Sequence, residues 1–247
     1  MALAVQGSQF EIAGAIDRPG HADLGADAGE LAGVGRLNVR LSDAVPGTTD
    51  VIIDFSTPEA TERIVEYARG RCLPVVVGTT GLTEGQVQML RAAAEKTAIV
   101  YATNMSVGMN VLFRLVADAA RLLGEEYDIE IVEAHHRFKK DSPSGSALTL
   151  SQKIAAATGR SWPGCLVHGR QGKETLRQAG TIGMHAIRAG DITGEHAVIY
   201  STLGETVTLS HSAHNRDNFA RGALRAALWL VGRRPGLYSM AQVLGME

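Results

Sequence analysis

Between Glu133 and Ala147 the chain reads Glu-Ala-His-His-Arg-Phe-Lys-Lys-Asp-Ser-Pro-Ser-Gly-Ser-Ala, a run that mixes groups able to move protons with groups able to grip anions. His135 and His136 follow an expected strand, and Arg137, Lys139 and Lys140 crowd in behind them. Cations gathered where a strand ends are costly unless an anion binds there. Asp141-Ser-Pro-Ser-Gly145-Ser146 then opens a helix, whose free N–H groups and positive dipole end make a second anion seat. Gly145 lets a ligand approach the backbone closely. Two such devices close in sequence suit a small dicarboxylate. Histidine exchanges protons near neutrality, and a lysine crowded by cations has a lowered pKa and can donate one.

Other readings of these residues are open. A His-His pair at a strand end can ligate a metal or simply lie at the surface, but adjacent strand residues point to opposite faces, which disfavours a shared metal. His211 and His214 form an H-x-x-H with no acidic or Cys partner nearby and read as structural or rim residues. No metal is expected. Taken alone, the lysines fit a solvated face. Taken with the histidines and the glycine-opened helix, they favour an active site.

The elements that must position this segment follow two patterns. Up to Asn104, apolar strands alternate with helices: Phe10–Ile16, Val51–Phe55, Pro74–Val77 and Ala98–Ala102 read as strands. Ser56-Thr57-Pro58-Glu59 starts a helix through about Arg69, and Thr83-Glu-Gly-Gln86 has capping-box spacing for another through about Lys96. Strands apolar throughout indicate a parallel sheet covered on both faces, the doubly wound, Rossmann-like α/β class, whose ligands bind at the carboxyl ends of the strands. Those ends carry Asp17-Arg18, Phe55-Ser56, Gly78-Thr79-Thr80 and Thr103-Asn104. Turn chemistry accounts for any one of them. Four in step favour a ligand cleft.

The second pattern is α+β: a long helix over Val107–Leu123, a strand over Asp128–Ala134, a helix over Gly145–Ala157, then alternating segments Thr181–Arg188, His196–Ser201 and Thr206–His211 of a mixed sheet. Asn215–Val231 is helical again, with a short helix near Ser239–Leu244. The expected division is a dinucleotide-binding domain, 1–106 plus 215–247, interrupted by a substrate-binding and oligomerisation domain, 107–214.

Composition narrows the function. The chain has 247 residues, a formal net charge of -2 and only 5% aromatic residues, so neither a cationic field nor a stacking platform recruits nucleic acid. Arg114, Asp118, Arg121 and Arg225 break the longest apolar stretches before they reach membrane-spanning length, and the opening Met-Ala-Leu-Ala-Val-Gln lacks the pattern of a signal peptide. Neither Cys72 nor Cys165 has disulfide or zinc-site spacing, and Cys72 reads as a small buried thiol. A cytoplasmic protein, with no membrane or nucleic-acid partner, is expected.

An acidic residue at the tip of a second strand, as at Asp17, usually serves the ribose hydroxyls of a dinucleotide about 20 residues after the first phosphate-binding glycine. That count places the glycine loop before residue 1, and no G-x-G-x-x-G occurs; Gly33-Val-Gly35 continues to Asn38. The chain is therefore expected to begin inside the first helix without the first strand, through a start set downstream or a truncation. Arg18 beside Asp17 fits a 2′-phosphate, keeping NADPH open beside NADH, and equally fits a solvated turn.

At Glu133–Ala147 the sequence resembles the signature of the dihydrodipicolinate reductase (4-hydroxy-tetrahydrodipicolinate reductase) family of lysine biosynthesis by the diaminopimelate route. The likeness runs on through Asp54-Phe-Ser, Gly78-Thr-Thr-Gly81, Asn104-Met-Ser-Val-Gly108, Gly180-Thr-Ile-Gly183, Arg188-Ala-Gly-Asp191 and Gly194-Glu-His196. The resemblance implies hydride transfer from NADH or NADPH to C4 of a cyclic imine dicarboxylate, giving tetrahydrodipicolinate. It implies His135 as acid/base residue and Lys139 as proton donor, with His136, Gly145 and Ser146 holding substrate carboxylate. Gly78, Thr79 and Thr80, with Ala102, Thr103, Asn104 and Met105, would line the cofactor, Asp17 and Arg18 would meet its adenosine ribose, and the inserted sheet would build a homotetramer. The family's glycine-rich loop is absent, Phe138 takes a commonly polar position, and Ser142 and Ser146 stand where Ala and Thr are usual. The alternatives are a non-catalytic, N-terminally truncated paralogue and a reductase of a related imine dicarboxylate.

Overall fold

The computed structural model describes residues 1–246 and divides into two units, Met1–Met105 with Phe219–Gly245, and Ser106–Asn218. The first unit is built on a four-stranded parallel sheet in the order β11-β5-β4-β3. Its strands are β3 (Ile52–Asp54), β4 (Val75–Val77), β5 (Ala98–Tyr101) and β11 (Gly236–Tyr238). Successive strand side chains point to opposite faces. Val75 and Val77 therefore enter one core with Val65, Ala68 and Leu90, from α3 (Pro58–Arg71) and α4 (Glu84–Ala93). Val76 enters the other with Ala223, Ala227 and Leu230 of α7 (Asp217–Leu230) and Met240 of α8 (Met240–Val243). Both faces are covered, so β4 needs no polar alternation. Thr57 with Pro58 starts α3 and a Thr83–Gln86 capping box starts α4, as the sequence signals.

The segments before β3 depart from expectation. The chain opens with α1 (Ala2–Val5), and the strand expected over Phe10–Ile16 shortens to β1 (Ala15–Ile16). Beyond α2 (Ala28–Leu31), β1 finds only the two-residue β2 (Leu41–Ser42), in parallel, as a sheet of its own. Just before β1 the chain is pressed against Pro46, whose Cγ would lie 2.5 Å from a Cβ on Gly14. Asp17-Arg18 thus follows a different sheet from the loops after β3, β4 and β5. Helix α3 also runs through Gly70 to Arg71, which puts Cys72 at its C-cap, left-handed (φ 54°) and exposed rather than buried.

The second unit holds a five-stranded mixed sheet in the order β10-β9-β6-β8-β7. It comprises β6 (Asp128–His135), β7 (Leu166–His168), β8 (Ile182–Arg188), β9 (Gly194–Thr202) and β10 (Glu205–Ala213). β6, β8 and β7 run parallel, whereas β9 is antiparallel to β6 and β10. Helices α5 (Val107–Leu123) and α6 (Gly145–Thr158) cover one face, where Ile129, Ile131, Ile182, Met184, Val198 and Tyr200 meet Leu112, Val116, Leu150 and Ile154. The Tyr200 hydroxyl donates to the Val116 carbonyl at 2.6 Å, which lets a large aromatic end in the core without an unsatisfied group.

Candidate active site

The helix-covered face of β6 carries, in alternation, Ile129, Ile131, Glu133 and His135. The first two belong to the core, and the face turns polar only at the end of the strand. There Glu133 is wholly buried. Its carboxylate accepts from Nη1 and Nη2 of Arg188 at 2.8 and 2.7 Å, from Ser144 N at 3.0 Å, and lies 2.6 Å from Nδ1 of His135. The parallel register sets His135 beside Arg188, which is how two residues far apart in sequence reach one carboxylate. A buried charge is tolerable only when its oxygens are saturated in this way.

Burial works against the charge on Glu133, but the bonds from Arg188, His135 and the Ser144 N–H outweigh it and hold the carboxyl below its ordinary range. Burial likewise pushes the His135 imidazole below its usual value, against the pull of Glu133. A neutral His135 next to an ionised carboxylate directs its one ring hydrogen from Nδ1 to Glu133, leaving Nε2 as the atom that takes up or gives a proton. A Cβ at residue 194 would stand 3.2 Å from that Nε2, so Gly194 leaves it room.

His196, directly across from Glu133 on β9, meets the His135 ring edge-on at 5.2 Å. Burial, then the nearby His135, pushes its pKa down to about 4. Its Nε2 lies 3.1 Å from Oγ of Ser144, the N-cap of α6. One strand further, His211 faces Oγ of Ser106, the N-cap of α5, at 3.4 Å. It is thus a packing partner of a helix start. Gly145 and Ser146 are the first residues of α6, and beyond the adjoining chain no described residue comes within 4 Å of where a Gly145 Cβ would sit.

The turn after β6 corrects one expectation. Lys139 is not held in a purely cationic surround, because its Nζ pairs with Oδ1 of Asp141 at 2.9 Å. His136 accepts at its carbonyl from Lys139 N at 3.1 Å, and its ring lies 6.3 Å from that of the exposed Phe138.

The residues expected to meet a cofactor belong to the first unit. Gly78 N donates to Asp54 O at 2.8 Å and Ala102 N to Val77 O at 3.2 Å, so the loops after β3, β4 and β5 are stitched side by side. Asp54, buried at the end of β3, accepts from Ser56 Oγ and Thr61 Oγ1, both at 2.5 Å, and from Thr79 Oγ1 at 3.2 Å. Thr80 and Thr103 are exposed and Asn104 is half-buried. The resulting polar shelf at the carboxyl ends of parallel strands fits one part of a dinucleotide. Met105 is different: its side chain is buried in the core with Val76, Val100 and Ala226, leaving only its backbone to line a site. Asp17 accepts from Arg18 N at 2.7 Å and lies 3.8 Å from His21 Nε2, curled on its own exposed loop.

Arg188, His196 and Asp54 carry no assigned role from sequence. A signal for His196 is present in strand period: His196-x-Val198-x-Tyr200 continues an inward apolar face into a polar residue, as Ile129-x-Ile131-x-Glu133-x-His135 does. Among the described residues no His, Cys, Asp and Glu cluster has the arrangement of a metal site, and no helix is long and apolar enough to cross a membrane.

A parallel α/β unit with polar strand ends, next in the chain to a mixed-sheet unit holding a carboxylate-braced histidine, defines the class as a two-unit α/β protein with a site suited to proton transfer. Residues 1–105 match the family model for the N-terminus of dihydrodipicolinate reductase and residues 108–244 that for its C-terminus. The chain belongs to the dihydrodipicolinate reductase family. It is 49% identical to the 4-hydroxy-tetrahydrodipicolinate reductase of Alkalilimnicola ehrlichii, over 96% of this chain and 90% of that one. With the enzyme of the same name from Hahella chejuensis it shares 48%, over 93% and 87%. Its fold matches a dipicolinate-bound dihydrodipicolinate reductase from Paenisporosarcina with a TM-score of 0.72 at 23% identity, covering 98% of this chain and 92% of that one.

Proposed function

We propose that this chain is an NAD(P)H-dependent 4-hydroxy-tetrahydrodipicolinate reductase, forming tetrahydrodipicolinate in lysine biosynthesis. The observation that carries the reading is His135, braced by buried Glu133 beside the start of α6, in a chain nearly half identical to relatives of that name. Bound NADH or NADPH would supply the hydride for C4 of the substrate. His135 takes up or gives a proton at Nε2, and Lys139 delivers a second donor from the turn that follows. The N–H groups of Gly145 and Ser146, with His136, receive a substrate carboxylate, an arrangement supported by the open space over Gly145 and by the positive end of a 14-residue helix.

On the cofactor side, Gly78, Thr79, Thr80, Ala102, Thr103, Asn104 and the Met105 backbone would line the nicotinamide half, and Asp17 with Arg18 would meet the adenosine ribose. The face of the mixed sheet away from α5 and α6, bearing the half-exposed Ile187, supports assembly into a homotetramer. Two free thiols are in keeping with the reducing cytoplasm.

The test is steady-state NADH and NADPH oxidation with substrate made in a coupled synthesis. Turnover is expected from the wild type, a fall in kcat of roughly 10²–10⁴ in His135→Gln, and a loss of both kcat and substrate affinity in Lys139→Ala. Wild-type rates in both variants, or no turnover by the unaltered chain, would overturn the assignment.

A further inference from the structure

Glu133 does not serve His135 alone. Its Oε2 atom is shared between the imidazole, at 2.6 Å, and Nη1 of Arg188, at 2.8 Å, while Nη2 of the same arginine and Ser144 N take Oε1. Arg188 is itself anchored, donating to the carbonyls of Ile187 at 2.7 Å and Asp141 at 2.8 Å. It therefore ties the carboxylate to the turn that carries Lys139. We infer that Glu133 and Arg188 form a positioning pair that sets the proton affinity of His135. Glu133 fixes which ring nitrogen carries the hydrogen, and Arg188 absorbs part of the carboxylate's charge so that the imidazolium, once formed, gives its proton up.

The inference rests on the reductase reading only for its consequence in turnover; the electrostatics stand without it. A carboxylate in contact with an imidazole raises its pKa by about 1–3 units when nothing else acts on it. Such a histidine would be an inert ion pair at neutral pH. Burial does most to remove that trap and Lys139 adds to it, while Arg188 acts in the same direction without breaking the contact that orients the ring. The other charged or titratable groups around His135 do not all act in one direction. His196 from β9 stays neutral, with His211 behind it on β10, and Lys139 opposes protonation while its partner Asp141 tempers it. The start of helix α6 adds the Ser144 N–H and hydroxyl.

The experiment follows the His135 ring resonance, assigned with His135→Gln, across a pH titration of the cofactor-free full chain. Arg188→Met is expected to raise the His135 pKa by about one unit, Glu133→Gln to lower it, and Arg188→Lys to stay near the wild type. In kcat/KM the limb belonging to His135 should move with each. A shift in the same direction for Arg188→Met and Glu133→Gln, or none in either, would overturn the inference. Should Glu133→Gln fail to fold, Arg188→Met against Arg188→Lys decides: an upward shift confined to the methionine variant supports the pair, and equal titrations refute it. Failure here would leave the reductase reading intact, since that reading turns on the rates of the wild type and His135→Gln.

Discussion

His196 Nε2 lies 3.1 Å from the hydroxyl of Ser144, and that same hydroxyl accepts the Ala147 N–H that starts helix α6. A serine hydroxyl has two lone pairs and one hydrogen, so with the helix N–H on one lone pair it can still give or take a hydrogen bond. It can therefore meet Nε2 of either neutral tautomer of His196, whose burial keeps the ring uncharged. The start of the helix proposed to grip substrate is thus built on a neutral histidine.

Acid should weaken the fold through this histidine. Its folded pKa is about 4, while an unfolded histidine titrates near 6.5. Above about pH 6.5 neither state is protonated and the contribution is fully present. As pH falls from there to about 4, the unfolded state takes a proton the folded state refuses, so stability drops, by roughly 3 kcal/mol at most. His135 and His211 are depressed by burial too, so the contrast between variants is what isolates the residue. Urea unfolding of His196→Gln should show a flatter pH dependence between about pH 6.5 and 4 than the wild type. Parallel curves would mean that His196 is not buried in neutral form.

Asp54 should matter to the cofactor loop rather than to proton transfer. It joins Ser56 and Thr79, at the ends of β3 and β4, to Thr61 of α3, and removing it leaves the buried Thr61 and Thr79 hydroxyls without that acceptor. Asp54→Ala is expected to cost about 1–3 kcal/mol of stability. It should raise the Kd for NADPH, read by titration calorimetry, while the pH profile of turnover keeps its shape. Unchanged affinity would detach Asp54 from the Gly78–Thr80 loop.

Much of this arrangement was legible in the sequence because it is local. The apolar runs of β4 and β5, the Thr83–Gln86 capping box and the polar turn after β6 each declare themselves within a few residues. What escaped depends on register and on partners distant in the chain. Nothing near Arg188 says that it will lie beside His135; only the pairing of β6 with β8 does. The short β1 reflects its two-residue partner and the press of Pro46 on Gly14, neither visible in the pattern of Phe10–Ile16 itself. Lys139 misled for a different reason: its neighbours in sequence are cations, but the turn brings its ammonium onto Asp141.

A second carboxylate of β6 gives a prediction of opposite character, since Glu130 lies on the face away from the helices. Arg170 holds it through Nη1 and Nη2 at 3.0 and 2.7 Å, Arg177 through Nε at 3.0 Å, and His185 Nε2 lies 2.7 Å away. Gly183 makes the space: a Cβ there would fall 1.8 Å from Oε2 of Glu130. Burial raises the proton affinity of this carboxyl, but Arg170, His185 and Arg177 outweigh it and bring the pKa to about 2. The folded value is below the unfolded one, near 4.3, so the stabilisation is fully present above about pH 4.3 and is lost as pH falls towards 2. Glu130→Gln should therefore be less stable at pH 7 by roughly 1–3 kcal/mol. That deficit should shrink between about pH 4.3 and 2 as the wild-type carboxyl itself takes a proton. Denaturant unfolding of both proteins across this range is the measurement. A deficit as large at pH 3 as at pH 7 would show that charge on Glu130 is not what fastens the Arg170 and Arg177 segment to the sheet.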